Sequence, residues 1–124
     1  LSRTFKTAKE LGISQAKYDT LVKVYWMFAD EIIPASLFDM QDIGEPALSP
    51  EGKPCGSPGC ILGWCQAVDP KAFPYQDYPV RLDGLFFSQL ACDRKDSPSR
   101  AQTTQAIHNY LTTGKADWRG VLKG

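Results

Sequence analysis

Five side chains in this sequence carry the chemistry for nucleophilic, redox or metal-binding work: the four cysteines, Cys55, Cys60, Cys65 and Cys92, and the single histidine, His108. Three of the thiols fall within residues 54–68, PCGSPGCILGWCQAV, which also holds three glycines, two prolines and Trp64. Ser57 followed by Pro58 has the form of an N-cap and first helical residue, so a short helix is predicted over residues 58–68, through Cys60, Ile61, Trp64, Cys65 and Val68. That would set Cys60 in a first helical turn, where free amides and the macrodipole favour thiolate. A thiol enzyme also needs a base. His108 follows Ile107 at the edge of the apolar face of the last predicted helix, so Cys60 or Cys55 with His108 is the candidate catalytic pair of a small cysteine-dependent hydrolase or transferase.

Metal and redox chemistry fit the spacing less well. Structural zinc takes paired ligands two to four residues apart, whereas Cys55, Cys60 and Cys65 are each separated by four intervening residues. On one helix Cys60 and Cys65 would point about 140° apart. Cys55 and Cys60 likewise lack the C-x-x-C offset of a redox pair. The reading that asks least is that Cys60, Cys65 and Cys92 act as small buried hydrophobes around Trp64, with Gly56 and Gly59 supplying backbone freedom and Gly63 a close approach. No metal and no cofactor are expected. The acidic pairs Asp30 with Glu31, Asp39 with Asp42 and Asp93 with Asp96 read as solvated faces or caps.

Composition narrows the class. At 124 residues and 43% hydrophobic content, one domain over residues 1–124 is expected. Fourteen basic and fourteen acidic residues cancel, which removes the attraction that nucleic acid or an anionic membrane exploits, so neither partner is expected. The beginning of the chain lacks a signal-peptide pattern and the longest apolar run, residues 24–29, is too short to span a bilayer. A cytoplasmic protein with reduced thiols is therefore expected, although four cysteines could pair in three ways.

The elements that must position these residues are mainly helical. Phe5 and Ala8 share one side of a first helix ended by Gly12, and Ser14 caps a second, predicted over residues 15–33 and stopped by Pro34. Its main stripe is Tyr18, Leu21, Val22, Tyr25, Phe28, Ala29 and Ile32. Val24, Trp26 and Met27 lie off that stripe, so the helix is apolar nearly all round, as expected for a central element or one that meets a partner. Two helices joined by Leu-Gly-Ile-Ser have the layout of a helix-turn-helix, but the second offers only Lys17 and Lys23 where a DNA-reading helix needs a polar or basic face. Phe38 and Met40 alternate around Asp39 as in a short extended segment that plugs the core. Residues 41–59 read as a long surface loop, 69–79 as an irregular stretch anchored by aromatics, 80–82 as a scrap of strand, and 84–90 as a short helix burying Phe86 and Phe87. Ser97 as cap and Pro98 as first residue start a last helix running to Thr112, closed by Gly114. Thr103, Ala106, Ile107, Tyr110 and Leu111 face inward, Gln102, Gln105 and Asn109 face water, and Trp118, Val121 and Leu122 fold back onto the core. The fold class expected is thus mainly α: a small single-domain helical fold with long loops and at most a minor two-stranded element.

Read in order, Leu11-Gly12-Ile13, Phe38-Asp39-Met40, the run from Cys55 to Trp64, Leu85-Phe86, and Ala106-Ile107 with Leu111, Gly114 and Trp118 resemble a family of short bacterial and phage proteins that share the phrase C-G-[ST]-x-x-C-[IA]-x-G-[WH]. The resemblance spans about residues 4–118. It implies a phage or mobile-element background and a shared fold, and it transfers no catalytic residue and no ligand. The function expected is a non-enzymatic protein–protein interaction module that binds another protein through exposed aromatic surface or the 41–59 loop; the alternative is the thiol enzyme built on Cys60 or Cys55 with His108.

Overall fold

The computed structural model describes residues 5–40, 44–74, 82–86 and 98–123. Its first helix, α1 (Ala8–Leu11), is short and closed at both ends by its own sequence. Thr7 Oγ1 accepts from the Glu10 N–H at 3.2 Å while Glu10 Oε1 accepts from the Thr7 N–H at 2.9 Å, a reciprocal cap that also lowers the Glu10 carboxyl pKa. Gly12, at φ 72°, provides the left-handed stop. Ser14 Oγ then accepts from the Lys17 N–H and starts α2 (Gln15–Ala29).

Helix α2 ends four residues before the predicted Ile33, and Pro34 is not what stops it. Asp30 is its C-cap, Glu31 adopts φ 59°, and the N–H groups of Ile32 and Ile33 both donate to the Met27 carbonyl. This reversal turns Ile33 into the core, where it is fully buried. Arg100 holds the turn from across the molecule, donating to the Ile33 carbonyl at 3.1 Å and to Glu31 Oε1 at 2.7 Å. The buried face of α2 also differs from the predicted stripe. Thr20, Leu21, Val24, Met27 and Phe28 point inward, whereas Ile32 is 48% exposed. A helix apolar nearly all round has several possible stripes, and only the neighbouring helices over Ile61–Val68 and Arg100–Thr113 select one.

Pro34 precedes a 3-10 turn (Ala35–Leu37), after which Phe38 forms a parallel bridge with Gly59. Met40 is buried and Phe38 packs against the core, as their alternation predicts. The stretch expected to be a loop contains an antiparallel hairpin, β1 (Pro46–Leu48) and β2 (Pro54–Gly56), in the register Pro46↔Gly56, Ala47↔Cys55, Leu48↔Pro54. Its turn is closed by Ser49, whose Oγ accepts from the Lys53 N–H, with Gly52 at φ 82°.

Helix α3 (Ile61–Val68) packs on α2 and β1, and α4 (Asp83–Phe86) buries Leu85 and Phe86. Leu82 belongs to a helical turn entering α4 rather than to a strand; residues 80 and 81 and Phe87 lie outside the described residues. Helix α5 (Arg100–Thr113) starts two residues later than Ser97-Pro98 suggests, because Ser99 and Gln102 form a reciprocal cap. Gly114 at φ 87° ends it, and Thr103, Ala106, Ile107, Tyr110 and Leu111 form its buried face as predicted. Of its predicted solvent-facing residues, Gln105 is exposed, whereas Gln102 and Asn109 are half-buried and Asn109 donates to the Ala116 carbonyl. In α6 (Trp118–Lys123) the Trp118 ring returns to the core and donates to the Leu85 carbonyl at 3.1 Å. The result is a small, mainly α fold with one two-stranded sheet among the described residues, all packed on one hydrophobic cluster.

Candidate functional site

The cysteine segment is built from the hairpin upward. Ser57 Oγ accepts from the Glu45 N–H at 2.6 Å, and the Gly59 backbone bonds Leu37 and Asp39 on the neighbouring extended segment. Both residues are therefore committed to the sheet side and cannot open a helix. Helix α3 begins at Ile61, and Cys60 is its N-cap, in extended conformation and without a side-chain capping bond. The prediction that Cys60 lies inside the first turn is corrected by this one-turn shift. Its carbonyl accepts the Trp64 N–H, while its side chain is 3% exposed.

Cys65 is completely buried, and its thiol pKa is pushed well up, first by desolvation and then by the nearby Cys60. A buried thiol of that kind is inert as a nucleophile. Trp64 between them is likewise fully enclosed and donates its indole N–H to the Leu37 carbonyl at 3.0 Å. Cys55 stands apart, exposed on β2 opposite Ala47. None of these three cysteines is in a disulfide, and Cys92 lies outside the described residues.

His108 is half-buried on α5 in an aromatic setting. Its ring meets Phe5 edge-on at 5.9 Å and Tyr25 at 5.9 Å with a 40° tilt. Phe5 and Tyr25 in turn meet at 5.6 Å and 88°. Among the described residues no hydrogen bond joins the His108 side chain to a thiol, while Cys60 lies close enough to Cys65 to help raise its pKa. Nor do any three His, Cys, Asp or Glu side chains among the described residues come together as a metal-ligand group.

The remaining feature is on the surface of α2. Ala16, Asp19, Lys23, Trp26 and Asp30 form its exposed face, and Trp26 is 50% exposed in the middle of that polar stripe. Its indole rests edge-on against Tyr25 at 5.0 Å and 72°, which links it to the Phe5 and His108 rings behind. The Tyr25 hydroxyl pKa is raised, by burial first and by the Asp30 charge second. Sequence periodicity places Trp26 off the main stripe; its position one turn from both Lys23 and Asp30 is the signal that it faces out. Near this end of α2 lies a cleft of about 230 Å³ lined by Phe28, Ala29, Glu31, Arg100, Ala101 and Thr104, and a second of about 270 Å³ lies between α4 and the end of α5. Both fall below the roughly 300–1,000 Å³ of typical small-molecule sites. No described helix is long and apolar enough to cross a membrane.

The fold and surface thus define a small, mainly α protein with two enclosed thiols, Cys60 and Cys65, and an aromatic projection on the longest of its described helices. Comparison of the chain with protein-family models, with curated proteins and with solved structures found no match in any of the three.

Proposed function

We propose that this chain is a small non-enzymatic protein-interaction module of phage or mobile-element type, working in the cytoplasm, and that its contact face is the outer side of α2 around Trp26. The observation that carries the reading is a half-exposed tryptophan held in place by ring contact with Tyr25. Interface hot spots are enriched in tryptophan, and an anchor that is already ordered loses little side-chain entropy on binding. Ile32, exposed on the turn that follows the helix, adds apolar surface at the same end. The zero formal charge favours a protein partner over nucleic acid or an anionic membrane. A thiol hydrolase or transferase is the weaker reading, because Cys60 is enclosed and the ring neighbours of His108 are Phe5 and Tyr25.

The test is affinity capture from a lysate of the cells that express the protein, with wild type and Trp26→Ala as parallel baits. A reproducible protein retained by wild type and lost with Trp26→Ala is the expected result. Equal capture by both baits, or none by either, counts against the reading.

A further inference from the structure

Resting on the Trp26 face assigned above, we propose that its partner is a second copy of this chain, bound by antiparallel packing of two α2 helices about a two-fold axis beside Trp26. The exposed residues Asp19, Lys23, Trp26 and Asp30 follow one another at spacings of four, three and four, and so line a single stripe along α2. Lys23 lies one turn before Trp26 and Asp30 one turn after it. An apolar knob flanked by opposite charges at nearly equal distances is self-complementary in one orientation only. In a two-fold interface residue i meets residue j and j meets i. With the helices antiparallel, Lys23 of each copy faces Asp30 of the other, twice over, while each Trp26 lies beside its symmetry mate. With the helices parallel, Lys23 would face Lys23 and Asp30 would face Asp30.

Three further observations fit this occupant. Neither Lys23 nor Asp30 forms an ion pair with a described residue, so both charges are available. The Tyr25 contact fixes the indole before association. The chain's zero formal charge imposes no long-range repulsion between copies. The contact proposed rests on one indole and two charge pairs, so the dimer is weak and concentration-dependent.

Sedimentation equilibrium over a wide concentration range tests the proposal with wild type, Trp26→Ala, Lys23→Glu and Asp30→Lys, each first shown by circular dichroism to melt as wild type does. Mass rising from monomer towards dimer is expected for wild type. Association should weaken roughly 30-fold in Trp26→Ala, a hot-spot loss, and about fivefold in each charge variant, where both symmetric contacts become repulsive. Mixing Lys23→Glu with Asp30→Lys is the decisive arm. In the mixed dimer the glutamate introduced in one copy faces the lysine introduced in the other, and the remaining native pair, Asp30 and Lys23, also meets. The mixture should therefore associate about as well as wild type although neither component does alone. A wild-type monomer at every concentration, a dimer that survives Trp26→Ala, or a mixture no better than its components would overturn the proposal. A monomer that still captures a cellular protein through Trp26 overturns self-association and leaves the interaction reading standing; a monomer that captures nothing overturns both.

Discussion

Trp64 shows how one side chain can organise a segment. Its indole fills the interior and its N–H reaches the Leu37 carbonyl, so two separate losses accompany its replacement. Trp64→Phe is expected to cost about 0.5–1.5 kcal/mol for the hydrogen bond, since the Leu37 carbonyl keeps the Gly59 N–H, together with the lost ring contacts, and Trp64→Ala about 3–5 kcal/mol from the added cavity; urea unfolding measures both. The thiols divide by exposure. Iodoacetamide applied to the native protein should modify Cys55, and reach Cys60 and Cys65 only after unfolding, with peptide mapping as the readout; equal labelling of all three would contradict their placement. Cys65 also links stability to pH. Its folded pKa is raised, so below the unfolded value of about 8.5 the thiol is neutral in both states and its contribution is intact. Above that pH the unfolded chain ionises and the buried thiol does not, and stability should fall by about 1.4 kcal/mol per pH unit from this group until its folded pKa is reached. Cys65→Ala should flatten the decline between about pH 8.5 and 10, below the usual tyrosine range.

Among the elements, the reversal after α2 depends on Arg100 more than on its own residues. Glu31 is mostly exposed, so its ion pair is weak, and its left-handed backbone favours glycine. Glu31→Gly is therefore expected to change stability by less than about 0.5 kcal/mol, two small effects opposing one another. Arg100→Leu should cost about 1–3 kcal/mol, because the part-buried Ile33 carbonyl loses its donor. In the hairpin, Gly56 sits at φ 82° and an added Cβ would run into the Glu45 carbonyl. Gly56→Ala should thus cost about 2 kcal/mol or more and loosen β1–β2, visible as faster amide exchange in residues 46–56. These cases also mark what a sequence can reveal. The stops at Gly12 and Gly114 and the cap at Ser14 were legible because each is settled by one residue and its immediate neighbours. The early end of α2 was not, since its clamp comes from a residue 69 positions away. Ser57-Pro58 looked like a helix start, but the serine hydroxyl is occupied by Glu45, 12 residues back. The buried face of α5 is legible in the sequence because its polar residues leave one apolar stripe; that of α2 is not, because tyrosine, valine and tryptophan surround it. The enclosed thiols followed from cysteine's ordinary preference for the interior, whereas the ring setting of His108 depends on Phe5 and Tyr25 from two other segments.

At the scale of the whole molecule, the interior and the surface have separate tasks. The thiol segment, α2, α4 and α5 share one apolar cluster that holds the fold together, and the outer side of α2 is left to carry Trp26 between charges of opposite sign. The chain has three tryptophans, two of them, Trp64 and Trp118, enclosed, so iodide quenching of tryptophan fluorescence reports almost entirely on the third. That makes quenching, compared between the dilute protein and the protein associated with its partner, the most direct test of where contact is made. The expected result is a quenchable fraction that is present in the dilute protein, absent in Trp26→Phe and protected on association. A quenchable fraction that persists in Trp26→Phe, or that stays open to iodide when the protein associates, would contradict the assignment of the α2 face.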